Sequence, residues 1–221
     1  MNLENVKVLS VAEMRAADRY TIEKGTPSKV LMQRAAQGVY DASGGWKDAK
    51  TLVVCGSGNN GGDGYALAEI LQEKGEDVTL LLLYDRFSED GRYYHERCVR
   101  RGVRELRRGT DEVRFGAYDI LVDCMLGTGF RGTPEEPIAS AIREINRARA
   151  AGGPFVISVD INSGMNGDTG EGALAVKSDL TVSVGFLKTG FFRGRAGEWV
   201  GALTNADIGI ETADPSIGHS L

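Results

Sequence analysis

TLVVC (51–55) runs straight into GSGNNGGDG (56–64), and the residues that follow carry Leu67, Ile70 and Leu71 at helical spacing before Gly75. Five apolar residues without alternation read as a short strand covered on both faces. The glycines make a tight turn in which backbone can approach a ligand closely, and the 3.6-residue spacing opens a helix. Strand, glycine turn and helix in immediate succession predict the first unit of a parallel α/β sheet.

The same pattern continues downstream. DVTLLLLYD (77–85) is a second buried strand, 89–101 a helix and 103–106 a short strand. YDILVDCM (118–125) leads into LGTGFRG (126–132), and 137–150 is a helix with Ile138, Ala141, Ile142 and Ile145 on one stripe. PFVISVDI (154–161) and SDLTVSVGF (178–186) are further strands, and 198–210 adds one more. Upstream, Ser10 and Glu13 have the spacing of a capping box that starts a helix to about Lys24, ended by Gly25. Thr26 and Pro27 fit an N-cap and first helical position for a second helix with Leu31, Ala35, Gly38 and Val39 on one face. The expectation is one domain over 1–221: a helical extension (1–48) and a Rossmann-like, three-layer α/β/α core (49–221) with a mostly parallel sheet.

Composition narrows the function. Of 221 residues, 42% are hydrophobic and 26% charged, enough for a sizeable core. No apolar run approaches the length of a membrane span, and the N-terminus lacks the apolar stretch of a secretory signal. Three cysteines without CxxC spacing point to a reducing, cytoplasmic setting, and two histidines make a His-based metal site improbable. A net charge of −5 gives no drive toward nucleic acid. Seven arginines within 92–108 read as a solvated helix face rather than an RNA surface or a 2′-phosphate site. Glycine, 30 of 221, is about twice its usual share and clusters where strands end.

In an open parallel sheet, ligands sit outside the carboxyl ends of the strands. Four glycine- or polar-rich loops fall there: 58–64, 127–132 after Asp123, 160–164, and 185–190. The first also scans as Gly56-x-Gly58-x-x-Gly61, the spacing of a dinucleotide-binding turn, with Asp85 placed as the ribose-binding acid. Asn59, Asn60 and Asp63 add amide and carboxylate groups that such a turn does not need; helix capping by Asn60 or Asp63 is the plainer reading.

Taken together, Gly58-Asn59-Asn60-Gly61-Gly62-Asp63-Gly64, Val122-Asp123 with Gly127-Thr128-Gly129, Asp160-x-x-Ser163-Gly164, Lys188-x-Gly190 and Asp207-Ile208-Gly209-Ile210 resemble the NAD(P)H-hydrate epimerase family, the YjeF N-terminal domain. The resemblance covers essentially the whole chain. It implies interconversion of the R and S epimers of NADHX and NADPHX, nicotinamide cofactors hydrated at C6, feeding an ADP- or ATP-dependent dehydratase. By the same resemblance Asn59, Asn60, Gly61, Gly62 and Asp63, together with Gly127, Thr128, Gly129, Phe130, Arg131, Gly132, Thr133 and Asp160, would contact substrate. Asn60, Asp123 and Ser163 would hold K⁺, a hard ion suited to oxygen ligands, and the chain would form a homodimer.

Inverting C6 requires the C–O bond or the ring to open and reclose, with proton transfer by a placed acid or base. Asp160 is the first candidate and Lys188 its electrostatic or proton-transfer partner, against the plainer reading of Lys188 as a surface lysine. Asn162 stands where the family usually has proline, which predicts a looser turn. Gln33 and Ala36 also depart from the family's usual residues. An NAD-dependent dehydrogenase would need a substrate domain that the chain lacks. The more serious alternative is a non-catalytic, dimeric interaction module that binds a nucleotide-like ligand.

Overall fold

The computed structural model describes residues 6–214 and 216–220. In chain order the elements are β1 (Lys7–Leu9), α1 (Val11–Glu23), α2 (Ser28–Ser43), β2 (Thr51–Cys55), α3 (Asn59–Glu73), β3 (Val78–Leu82), α4 (Glu89–Arg100), β4 (Arg104–Arg107) and β5 (Ile120–Cys124). There follow α5 (Ile138–Ala150), β6 (Phe155–Val159), β7 (Leu180–Val184), β8 (Leu187–Lys188), α6 (Ala196–Trp199), β9 (Ala202–Ala206) and β10 (His219–Ser220).

Seven strands form one sheet in the order β4-β3-β2-β5-β6-β7-β9, every neighbouring pair parallel. The order reverses direction between β2 and β5, which is the topological switch point of a doubly wound sheet. Side-chain alternation divides the core between two faces. Val53, Leu80, Val122 and Ile157 pack with Leu31, Ala35, Val39, Leu67 and Leu71 of α2 and α3 on one side. Leu52, Val54, Leu81, Leu121 and Val156 pack with Ile142 and Ile145 of α5 on the other. The three-layer expectation is met. The two leading helices share the first of these cores, although residues 1–5 of the expected extension lie outside the described residues.

Local chemistry explains the ends. Ser10 caps α1: its hydroxyl accepts from the Glu13 N–H, and the Glu13 carboxylate accepts from the Ser10 N–H at 2.7 Å. Pro27, expected inside α2, is its extended N-cap instead, one residue earlier in role. At the glycine turn, a Cβ on Gly61 would lie 2.2 Å from the Gly56 carbonyl oxygen, so only glycine lets α3 start there.

A second, three-stranded sheet (β10-β1-β8) was not anticipated. β1 runs parallel to β8, pairing Leu9 with Lys188. Strands of two and three residues carry too few positions for a period of two to register, yet this sheet fixes Lys188 beside the carboxyl edge of the main one.

Candidate functional site

The strands of the main sheet all end on the same edge, and a cavity of about 650 Å³ opens there. Its walls come from the start of α3 (Asn59, Asn60, Asp63), the 125–130 loop after β5, Asp160 after β6, and the α1 residues Met14, Arg15, Asp18 and Ile22. Tyr84 and Arg86, beyond β3, close another side. Three of the four loops that the sequence singles out reach this cavity; the 185–190 loop does not line it.

Asp160 ends β6 in the left-handed region, φ +68°, a conformation uncommon outside glycine that accumulates at functional sites. Its carboxylate accepts from the Lys188 ammonium. Lys188 is fully buried, and its other two protons go to Ser183 Oγ at 3.0 Å and the Val184 carbonyl at 2.9 Å. All three donors are used, so the charge is buried but satisfied. The reading of Lys188 as a surface lysine is therefore corrected. Lys188 lies behind the cavity wall, bonded to two of its lining residues, Asp160 and Val184.

Asp123 is sealed from solvent. Its oxygens accept from the Ser163 N–H (2.9 Å), the Ser158 hydroxyl (3.0 Å), the Met125 N–H (3.3 Å) and the Ser163 hydroxyl. Burial pushes its pKa above the ordinary carboxylate value, and these bonds pull against that rise. Ser163 Oγ in turn accepts from the Leu126 N–H at 2.8 Å, and Asn60 Nδ2 donates to the Leu126 carbonyl at 2.9 Å. Asn60, Asp123 and Ser163 are thus brought around one residue, Leu126. Asn60 Oδ1 is buried and has no hydrogen-bond partner among the described residues.

Neither Asn60 nor Asp63 caps α3, whose N-cap Gly58 has no side-chain bond. Capping is thereby overturned as the explanation of these two residues. Burial first, then the negative charges of Asp160 and Asp18, push the Asp63 carboxyl well above the usual range.

Several expected contacts are relocated. Gly127, Thr128, Gly129 and Phe130 line the cavity, whereas Arg131, Gly132 and Thr133 do not. Arg131 is drawn off to Asp168 at 3.2 Å. Gly61 and Gly62 are buried in packing, against the Gly56 carbonyl and the Met32 side chain respectively. Asp85, the expected ribose acid, is exposed and paired with Arg107. Its neighbour Arg86 faces the cavity instead, with its guanidinium 4.9 Å from the Tyr84 ring centroid.

The chain matches a known family over most of its length: residues 28–190 fit the model of the YjeF-related protein N-terminus. The chain belongs to that family. An NAD(P)H-hydrate epimerase of Limosilactobacillus fermentum is 34% identical over 205 residues, covering 91% of this chain and 96% of that protein. The Oenococcus oeni NAD(P)H-hydrate epimerase is 37% identical over 200 residues, covering 87% and 92%. A bifunctional NAD(P)H-hydrate repair enzyme Nnr of Archaeoglobus fulgidus is 34% identical over 206 residues, which is 93% of this chain but 42% of the relative. The crystal structure of yeast ynu0 superposes with a TM-score of 0.75 at 22% identity, covering 90% and 87% of the two chains, and shows the shared fold.

Within this YjeF-related fold, two departures resolve without loss. Asn162, expected to loosen its turn, is fully buried: Nδ2 donates to the Val176 carbonyl, Ser178 Oγ and the Trp199 carbonyl at 2.9–3.0 Å, and Oδ1 accepts from Thr181 Oγ1 at 2.8 Å. That corrects the prediction. Gln33 is exposed and outside the cavity, and Ala36 is buried in the core. The arginine-rich segment is absorbed in ion pairs: Arg97 and Arg101 share the buried Glu69, and Arg108 meets Glu144. No helix among the described residues is long and apolar enough to cross a membrane.

Sequence reasoning missed the α1 wall. Met14, Asp18 and Ile22 recur every four residues, so a carboxylate sits within an otherwise apolar stripe that lines the cavity. Burial, reinforced by Asp160, pushes the Asp18 pKa up to about 6. The signal was there: a charged residue on a helix's inward face.

Proposed function

We propose that this protein is an NAD(P)H-hydrate epimerase that inverts C6 of the hydrated nicotinamide ring in NADHX and NADPHX. The observation that carries this reading is Asp160, held by the buried Lys188 in a strained turn at the wall of a dinucleotide-sized cavity. Epimerase relatives that match almost end to end support it, and they speak against a non-catalytic interaction module.

The C6 carbon carries a hydroxyl beside the ring nitrogen, so inversion breaks and remakes one bond to a heteroatom. Each direction needs a proton delivered and a proton taken up. Asp160 is oriented by an ammonium whose remaining bonds are fixed, which holds its carboxylate in one place for that exchange. Gly58 and Asn59, exposed at the start of α3, face the cavity and offer a helix N-terminus to the pyrophosphate, and Arg15, which forms no ion pair among the described residues, stands beside Gly129 on the same side.

A K⁺ held by Asn60, Asp123 and Ser163 belongs to this reading. The orphaned Asn60 Oδ1 and a sealed Asp123 with no cationic partner among the described residues suit a hard cation. Such an ion supplies fixed positive charge that orders the 126–127 loop. Bifunctional repair relatives support a coupling to an ADP- or ATP-dependent dehydratase that consumes the S epimer. A cytoplasmic homodimer completes the proposal; three buried free cysteines suit a reducing compartment.

The deciding experiment incubates R-NADHX with the protein in K⁺ buffer and follows S-NADHX by chromatography. Acceleration above spontaneous epimerisation, lost in Asp160→Ala, is the expected result. A well-folded protein that gives no acceleration sinks the reading.

A further inference from the structure

We propose that Asp18 is a second proton-transferring residue of this site, the acid that protonates the departing C6 oxygen while Asp160 serves as the carboxylate. The inference rests on the epimerase reading above and assigns a role within it.

Asp18 is placed as firmly as the loop residues. The capping box at Ser10 fixes the start of α1, and the Val11 N–H donates to Asp168 at 2.7 Å. Asp18 then lies on the stripe of Met14 and Ile22 that faces the cavity. It is half-buried and makes no hydrogen bond or ion pair among the described residues. The charged groups that bear on it are Asp160 from the end of β6, Lys188 from β8, Arg19 on its own helix, and Asp63 across the cavity on α3.

Three carboxyl groups, Asp18, Asp63 and Asp160, line one cavity, and of these the Lys188 ammonium donates to Asp160 alone, its other two N–H groups going to Ser183 Oγ and the Val184 carbonyl. Like charges that share a cavity raise one another's pKa. Asp160 is the one that has the ammonium as its partner, whereas Asp18 has no hydrogen-bond or ion-pair partner among the described residues and burial pushes its carboxyl upward. Burial also pushes the Asp63 carboxyl well above the usual carboxylate range. Asp18, at about 6, is the one that can both give and regain a proton near neutral pH. A separate feature marks this cavity as a ligand site: Asn60, 6% exposed, lines its α3 wall and has a buried amide oxygen without a hydrogen-bond partner among the described residues.

The step balances as follows. The Asp18 carboxyl proton passes to the C6 hydroxyl, the C6–O bond breaks with its electron pair on oxygen, and water departs. The ring-nitrogen lone pair forms the N1=C6 bond. Water then adds to C6 from the opposite face, the N1=C6 pair returns to nitrogen, and the proton shed by that water passes to Asp160. Exchange with solvent returns Asp18 to the acid and Asp160 to the carboxylate. No oxidant, reductant or co-reactant beyond water takes part.

The test compares wild type, Asp18→Asn and Asp18→Glu for epimerisation of R-NADPHX between pH 5 and 9, with binding of S-NADPHX measured separately by calorimetry. The expected wild-type kcat falls as pH rises past about 6. Asp18→Asn loses that limb and on the order of 10²-fold in kcat, with Kd changed by no more than a few-fold; Asp18→Glu keeps the limb. Asp18→Asn with wild-type kcat, or with the limb intact, overturns the proposal. A ¹³C-carboxyl NMR titration of the wild-type protein tests it independently of any variant's folding: a midpoint near 6 supports it, and one at the ordinary aspartate value overturns it. A wild type that fails to accelerate epimerisation while its Asp18 still titrates near 6 defeats the epimerase reading, and this assignment with it. An active wild type with an indifferent Asp18→Asn defeats the assignment alone.

Discussion

The ammonium of Lys188, fully buried, donates to the carboxylate of Asp160, a residue 28 positions earlier in the chain whose backbone holds φ +68°. Two separate pieces of architecture meet in that pair. The main sheet delivers Asp160 at the end of β6, and the small sheet delivers Lys188 by pairing Leu9 with it. Neither residue alone would be fixed.

Replacing Lys188 by methionine keeps the volume and removes the cation. The Val184 carbonyl is left without its side-chain donor, and the Asp160 carboxylate loses its ammonium. Losing such partners costs about 2–4 kcal/mol, readable as a shift in urea midpoint. Activity should fall about 10²-fold as Asp160 loses its orientation. A Lys188→Met protein of wild-type activity would show that the pair is only structural.

Asn162→Pro restores the residue usual in the resembling family, yet should destabilise this chain. It removes four side-chain bonds within a buried network that joins the 162 turn to Ser178, Thr181 and Trp199. A loss of about 2–3 kcal/mol in urea unfolding is expected. A gain in stability would mean that turn preorganisation outweighs the network.

That contrast marks how far the sequence carries. The sheet, its helices and the convergence of its loops were legible because buried strands and amphipathic helices leave periods in the chain. The burial of Asn162 was not, since its partners come from 14–37 residues away. Lys188 was recognised, but its burial depended on strands too short to show a period. Asp85 looked like a ribose ligand by spacing alone; pairing with Arg107 of β4 turns it outward, a contact no local pattern encodes. Asp18 was legible and passed over, its stripe in α1 lying outside the glycine-rich loops.

The Asn60 amide oxygen has no partner among the described residues, so K⁺ should stabilise the fold by filling that place. At equal ionic strength, replacing tetramethylammonium by K⁺ should raise Tm by about 2–4 °C, the scale of 1 kcal/mol for a chain of this size. Asn60→Ala should abolish the difference. An equal response in the variant would place any ion elsewhere.

Arg86 and Tyr84 flank the outward-turned Asp85 and face the cavity. A guanidinium free of carboxylate partners among the described residues suits the 2′-phosphate that distinguishes NADPHX from NADHX. Arg86→Ala should raise KM for NADPHX about tenfold and leave that for NADHX within twofold, since only one substrate carries the phosphate. Equal effects on both would remove Arg86 from the discrimination.

Asp18 also predicts a pH dependence of stability, separate from its effect on rate. Its folded-state pKa, about 6, lies above the ordinary 3.8, so the folded protein binds this proton more tightly than the unfolded chain does. That contribution is complete below about pH 3.8 and is lost as pH rises through 6, where the native state must carry a half-buried carboxylate with no partner among the described residues. Asparagine does not titrate and escapes the penalty. Asp18→Asn should therefore match wild type near pH 4 and exceed it by about 1–2 kcal/mol at pH 8, allowing for partial exposure. Urea unfolding at the two pH values measures the difference. An advantage that shrinks with rising pH would mean that Asp18 is stabilised as the anion in the folded protein. A variant that is more stable at pH 8 and yet poorer in turnover is the pattern expected where an unpaired acid is kept for chemistry at the expense of the fold.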